Sequence, residues 1–365
     1  MGLNLCGADL RRVDLSGLPL ARLQAGLAWV RRNFHTREQL DEVGVHLERA
    51  DLRGTHLEGA VLRGAHLEHA DLREAFLQEA DLSRAHLESA NLREAHLERA
   101  TLVRPHLEWA DLPDAHLEGA VLIRAHLEGA HLRGAHLEGA DLRRAFFDFA
   151  TNLDGTIISN AEGEGVLLAG IHWGDVDLTM LDWAQVKLLG DERLARQDGR
   201  TGERHKDAAS RLAAYQAAVR ANRQLAVALQ AQGLNEEAAR FAYRAQKLQR
   251  GVFTQQRKVG QFLFSGFLDL LAGYGYKPWR SFVAYLIVIT CFATAYYLIG
   301  RLVGPPLSPV SAWVFSMTSF HGRGFFPGGI ALDDPLTILA ALEAFVGLLI
   351  EVTFIATLTQ RLFGK

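Results

Sequence analysis

From Leu47 to Phe147 every fifth residue is large and apolar, leucine throughout until the closing phenylalanine. Two positions before each stands a small residue, nearly always alanine, as at Ala50, Ala60, Ala65 and Ala70. A helix repeats its buried face about every 3.6 residues and a strand at every second one, and neither period fits. A strict period of five predicts a solenoid whose sides are each one repeat long. Leu and Ala then fill a narrow interior, and the other three positions face water. The spacing resumes at Leu153, Ile158, Leu168, Trp173, Leu178 and Trp183, displaced by one residue, with Gly163 in the gap. The solenoid is therefore expected over 45–188. Upstream, GADLRRVDLSGLPL (7–20) reads as an isolated start within an N-terminal stretch 1–34, and HTREQLDEV as a short capped helix within 35–44.

The unit A(D/N)LXX resembles the motif of the pentapeptide-repeat family. The resemblance implies a right-handed quadrilateral β-helix, a four-sided rod with twenty residues per coil. Residues twenty apart would share a column: His46, His66, His86, His106 and His126 in one, Glu48, Glu68, Glu88, Glu108 and Glu128 in another, Arg53, Arg73 and Arg93 on the adjoining side. A metal ladder or a pH sensor is one reading of so many histidines. The alternation of basic and acidic sides reads more simply as a repetitive solvated surface. A filled interior leaves no ligand cavity, and the chain shows no nucleophile–base pairing, phosphate loop or cysteine metal site. No enzyme activity, cofactor or metal is expected.

From about Glu203 the pattern becomes helical. DAASRLAAYQAAVRANRQLAVALQAQG stops at Gly233, and LNEEAARFAYRAQKLQRG restarts with Asn235 as cap and acidic residues in its first turn. This α-helical hairpin connector (189–251) resembles one tetratricopeptide-like pair, and one pair makes no solenoid. A spacer or assembly surface is expected rather than a peptide groove. VGQFLFSGFLDLLAGYGYKPWRS follows, with aromatics and leucines on one side and basic residues at both ends. Over 252–280 it reads as an amphipathic interfacial helix and turn. Gly273–Tyr274–Gly275 looks like a channel filter but precedes the first span, so it reads as a turn, with Pro278 stopping any helix.

Residues 281–300 carry no charge and 336–360 carry Glu343 and Glu351 within an apolar run; each is long enough to span a bilayer as a helix. Between them Ser308 and Pro309 open a short helix, 309–319, too short to cross. A glycine-bearing stretch follows, and non-helical backbone at that depth survives only inside protein or along a water path. This order resembles the two-transmembrane pore-loop channels, the superfamily of potassium channels, and implies an α-helical two-span membrane pore domain (281–365) with a re-entrant pore loop. The implied selectivity filter is 320–325, entered from Ser319: Phe320, His321, Gly322, Arg323, Gly324 and Phe325. Where potassium channels carry T-V-G-Y-G, Phe320–His321–Gly322–Arg323–Gly324 keeps only the glycines, so the filter is of non-potassium type. Arg323 either faces the path as part of a cationic ring or pairs with Glu343 and braces the filter from behind. Gly347 matches the position where inner helices of this superfamily bend, and its other reading is close packing. Glu351 would face an inner vestibule or hydrogen-bond a neighbouring span.

Net charge of −3 gives no whole-chain case for nucleic acid. Cys6 and Cys291 are far apart in sequence and suggest no disulfide framework. The N-terminus has no signal-peptide pattern. Arg257, Lys258, Lys277 and Arg280 precede the spans and Arg361 and Lys365 follow, so both termini are expected in the cytoplasm, as for a multi-pass protein of a bacterial inner (plasma) membrane. The expectation is a homo-oligomer in lipid, a tetramer because several loops must surround an axis, passing an inorganic ion. Its solenoid would serve gating, assembly or docking of a cytoplasmic protein partner. A membrane-anchored scaffold without conduction is the alternative. A third reading comes from pentapeptide-repeat proteins that mimic DNA, and the mixed Arg/Glu surface, with no sustained acidic side, speaks against it.

Overall fold

Parallel bridges join residues twenty apart, and four of them, His46–His66, Asp51–Asp71, His56–Phe76 and Val61–Asp81, mark the four sides of one coil. In this computed structural model the described residues are 4–18, 44–160, 165–197, 207–276, 278–303, 307–322 and 335–363. They form two compact units, Met1–Gln255 and Gln256–Lys365.

The repeat makes each corner and each rung at once. The Leu47 carbonyl accepts from Ala50 N–H at 3.0 Å, closing a β-turn whose third residue, Arg49, takes φ 58°. Glycine fills that left-handed position at 54, 59, 64, 119, 129, 134 and 139, and arginine, glutamate, serine, histidine, tryptophan or aspartate takes it at the other corners. Between corners the chain is extended for one rung. Leu47 N–H donates to the His66 carbonyl at 2.7 Å, and His66 N–H to the Val45 carbonyl at 2.9 Å. Leucine and alanine are thereby turned inward, and from Leu47 to Leu142 no leucine of the repeat is more than 3% exposed. Burying each leucine contributes about 2 kcal/mol.

The one-residue displacement has a local cause. At the Asp148–Thr151 corner one extra residue is accommodated because the Asp148 carboxylate accepts from Gly129 N–H (2.8 Å) and Thr151 N–H (3.0 Å). Beyond it His131 bridges Asn152 and His136 bridges Ile157. A second insertion is closed by the Ser159–Gly165 bridge, and Gly163 lies outside the described residues. The stretch 7–20 is not isolated in space. Asn4, Asp9 and Asp14 bridge His46, Asp51 and His56, so residues 4–18 lie on the stack, because identical turn-and-rung chemistry pairs with the nearest free edge. The helix expected in 35–44 lies outside the described residues except for Gly44.

At the other end the stack is closed by helices. α1 (Gly190–Arg196) follows the last turns, and α2 (Ala208–Ala231) and α3 (Asn235–Gln255) form the expected hairpin about Gly233, whose φ is 81°. The hairpin is a lid on the solenoid rather than a spacer. Gln224 accepts from Gly170 N–H (3.0 Å). Gln232 accepts from Leu178 N–H (2.7 Å) and donates to the Val176 carbonyl (2.6 Å). Arg240 reaches the Trp183 carbonyl, and Phe241, fully buried, meets the Trp183 ring edge-on at 5.9 Å. These side chains take up rung groups that a further coil would have used.

In the second unit α4 (Val259–Ala272) exposes Val259, Leu263, Phe264 and Leu270 and ends at Gly273 in the left-handed region. Tyr274 is also left-handed, at φ 58°, and its hydroxyl lies 2.7 Å from Ser265 Oγ, so Gly273–Tyr274–Gly275 is a turn. Pro278 opens the next helix, α5 (Pro278–Val303), because its fixed φ and missing N–H suit a helix start. With α6 (Pro309–Phe320) and α7 (Pro335–Phe363) it completes the unit. α5 and α7 outrun the expected 281–300 and 336–360 at both ends. Both are long and apolar enough to cross a membrane, and only 17% and 22% of their most apolar windows is buried, unlike the core helix of a water-soluble domain.

One carboxyl makes the solenoid end sensitive to pH. Asp191, in the first turn of α1, is buried and accepts from Leu168 N–H at 2.6 Å. Burial raises its pKa to about 6, with the Leu168 N–H and the Arg143 charge opposing. The folded state therefore holds this proton more tightly than the unfolded chain. Stability falls as pH rises from about 4 to about 6, and the full cost of the buried charge is present above that window. Asp191→Asn keeps an acceptor and removes the charge. It is expected to exceed the wild type near neutral pH by on the order of 2 kcal/mol and to converge with it near pH 4, measured by urea unfolding.

Candidate functional site

α6 begins where the sequence specifies it. Ser308 Oγ accepts from Ser311 N–H at 3.1 Å, and Pro309 occupies the first helical position. Ala312, Ser316, Ser319 and Phe320 are its buried residues, spaced to share one face. That face meets both long helices. Phe315 lies edge-on to Tyr296 of α5 at 4.7 Å and Phe320 edge-on to Tyr285 at 4.8 Å.

Glu343 stands at the centre of this packing, fully buried on α7. One carboxyl oxygen accepts from the Tyr296 hydroxyl at 2.7 Å, and the other is hydrogen-bonded to the Ser316 hydroxyl. Ser316 Oγ also lies 2.9 Å from the Ile289 carbonyl. The carboxyl thus ties α5, α6 and α7 together, and a buried carboxyl held by two hydroxyls avoids the large cost of an unpaired one. One turn further along α7, Gly347 lets the end of α6 approach: a Cβ there would stand 2.1 Å from the Phe320 carbonyl oxygen. Its observed role is close packing. One turn beyond, half-buried Glu351 lies 3.3 Å from His321 Nε2, while His321 Nδ1 lies 2.8 Å from the Met317 carbonyl.

Three filter positions therefore have a defined setting, and at Phe320 it differs from the non-helical filter expected to begin there. Phe320 is still helical, because its ring is held between α5 and α7; His321 is the C-cap, and Gly322 follows at φ 68°. Ser319 is buried on the inner face of α6. Arg323, Gly324 and Phe325 lie outside the described residues, and so does the Arg323–Glu343 pairing. Tyr296 and Ser316 were not among the sequence candidates. The signal was present: a tyrosine within the uncharged run 281–300 needs a partner for its hydroxyl, and Ser316 falls on the small-residue face of α6.

Residues 43–79, 80–119, 110–148 and 120–162 match the family model described as pentapeptide repeats, in eight copies. Among solved structures the chain is similar to HetL, a pentapeptide-repeat protein of heterocyst differentiation regulation from Nostoc sp. strain PCC 7120, at 24% identity. That match covers 48% of this chain and 87% of HetL at a TM-score of 0.20. QnrB1, a plasmid-mediated fluoroquinolone resistance protein, matches at 18% identity over 52% of this chain and 90% of its own, TM-score 0.22. Rfr23 of Cyanothece 51142 matches at 25% identity over 47% and 88%, TM-score 0.17. No curated protein matches. Residues 43–162 are pentapeptide repeats.

Glu343→Ala takes the acceptor from the Tyr296 hydroxyl, opens a cavity and leaves Ser316 only the Ile289 carbonyl. It is expected to cost about 2–4 kcal/mol, whereas Glu343→Gln retains most of the stability, measured by thermal unfolding in detergent. Gly347→Ala is expected to destabilise comparably by forcing α6 off α7, in the same assay.

Proposed function

We propose that the protein is an oligomeric membrane ion channel with a pore-loop filter of non-potassium type and a pentapeptide-repeat domain that serves gating, assembly or partner docking. The observation that carries the reading is α6. At 12 residues it is about 18 Å long, too short for a hydrocarbon core of about 30 Å. It nevertheless packs its small, polar face against both long apolar helices and ends beside Glu343, Gly347 and Glu351 at a left-handed glycine. A pair of plain anchors has no need of such an element.

On this reading α5 and α7 span a bacterial inner membrane with both termini cytoplasmic, and α4 lies at the lipid interface on its exposed apolar face. Four copies of the loop surround the path of an inorganic ion. Glu343 acts behind the filter as a brace: its two oxygens are engaged by Tyr296 and Ser316, so a pairing with Arg323 would have to share or displace one of them. His321 is held between the end of α6 and Glu351, at the entry to the loop.

The repeat domain favours a second reading, a membrane-anchored scaffold whose solenoid binds a protein partner, because long flat sides offer such a surface without any pore. Reconstitution in planar bilayers under asymmetric salt distinguishes the two. A channel gives unitary currents whose reversal potential reports the sign of the ion, and Glu343→Ala abolishes them. Silent bilayers containing correctly inserted oligomer would leave the scaffold reading.

A further inference from the structure

We propose that the histidine–glutamate column of the solenoid binds divalent transition-metal ions between successive coils, with Zn2+ the best fit. The column lies outside the helices that carry the proposed pore, and its chemistry is independent of conduction.

The donors are already gathered. Each histidine directs Nδ1 to the glutamate two residues on: His86 to Glu88 and His106 to Glu108 at 3.1 Å, His126 to Glu128 at 3.3 Å. The same nitrogen faces the glutamate one coil back, as His126 Nδ1 does Glu108 Oε1 at 4.0 Å. One ligand atom each from Glu68, His86 and Glu88, from Glu88, His106 and Glu108, and from Glu108, His126 and Glu128 lie within 4.8 Å of one another. An ion about 2.1 Å from every ligand needs donors about 3–4 Å apart, which these rungs nearly provide before any side chain moves. The rings stack at 4.9 Å (His86–His106) and 5.2 Å (His106–His126), so the rung repeats with the coil.

The carboxylates also lack what an ion would supply. The second oxygens of Glu68, Glu88, Glu108 and Glu128 are shielded from water and reached by no donor among the described residues. At the head of the column, where a donor is within reach, the Cys6 thiol donates to Glu48 Oε2 at 2.8 Å. A stack of like charges at the spacing of the coils is repulsive, and a cation on the imidazole side neutralises two carboxylates at once. The ion takes the Nδ1 lone pair, the ring carries its proton on Nε2, and the proton displaced from Nδ1 leaves to solvent. Mixed imidazole and carboxylate donors suit a borderline cation, whereas Mg2+ keeps its waters and takes oxygen ligands. Neighbouring rungs share Glu88 or Glu108, so occupation of one rung removes a ligand from the next and the column fills on alternate rungs.

The test uses the full chain in detergent, purified without a histidine tag, dialysed against Zn2+ or Mg2+ and assayed for bound metal. The triple change His86→Gln, His106→Gln, His126→Gln is expected to lower bound Zn2+ by about two ions per chain. Glu108→Gln, which enters two rungs, is expected to lower it by about one, with no retention of Mg2+ in any variant. Circular dichroism of each variant reports the solenoid. Unchanged Zn2+ in a folded triple variant overturns the proposal; should that variant not fold, unchanged Zn2+ in Glu108→Gln overturns it.

Discussion

A coil of this solenoid makes few hydrogen bonds to itself beyond its corner turns; the rungs are satisfied by the coils before and after it. That constraint dictates most of the first unit. It requires every coil to repeat the same length, it sends Leu and Ala inward in fixed positions, and it leaves the ends open. The extra residue at Asp148–Thr151 is tolerated only because a carboxylate and a hydroxyl replace the regular corner, and Thr151 Oγ1 reaches back to the Leu127 carbonyl at 2.9 Å. At the last coils the debt passes to glutamine and arginine side chains of α2 and α3, whose buried face continues the same apolar core from Trp183 to Phe241. An open end of such a stack would invite a second copy to add coils, and a helical lid prevents it.

The second unit meets a related problem with a different solution. α6 brings Ser316 against two apolar helices, where an unpaired buried hydroxyl is costly, and α5 brings the Tyr296 hydroxyl to the same place. Glu343 answers with two oxygens for two hydroxyls, and Gly347 removes the side chain that would keep the helices apart. Polar engagement and close approach fall one helical turn apart on α7, and Glu351 falls one turn further, against His321. The three positions form a single ridge that follows the end of α6.

Period, inward residues and coil length were legible because a five-residue repeat has so few three-dimensional solutions. Ser308 and Pro309 located the start of α6 for a similar reason, since capping is read from adjacent residues. Long-range consequences were hidden. The pairing of residues 4–18 with the coil beginning at His46 spans an insertion that no local pattern bridges, and the lid role of Gln224 and Gln232 depends on carbonyls and amides some 54 residues away. Glu343 was visible as a charge in an apolar run. Its partners were not, because hydroxyls in apolar helices are common and only packing decides which of them meet.

Repetition gives the sides of one rod unequal electrostatics. In the Asp–Arg column Arg53 binds Asp51 at 2.7 Å and approaches Asp71 of the next coil at 3.5 Å, and the guanidiniums hold these carboxylates below their ordinary pKa, Arg53 at Asp51 and Arg73 at Asp71. In those coils a fixed positive charge stands beside each carboxylate. The His–Glu column has the same geometry, each histidine set between two glutamates, but imidazole carries no fixed charge. Every coil added to it therefore adds an unbalanced carboxylate. A rod that tolerates this along several coils either draws its counter-charge from solution or pays in stability, and the close approach of Nδ1 to two carboxylates is the feature that lets a single small cation supply it.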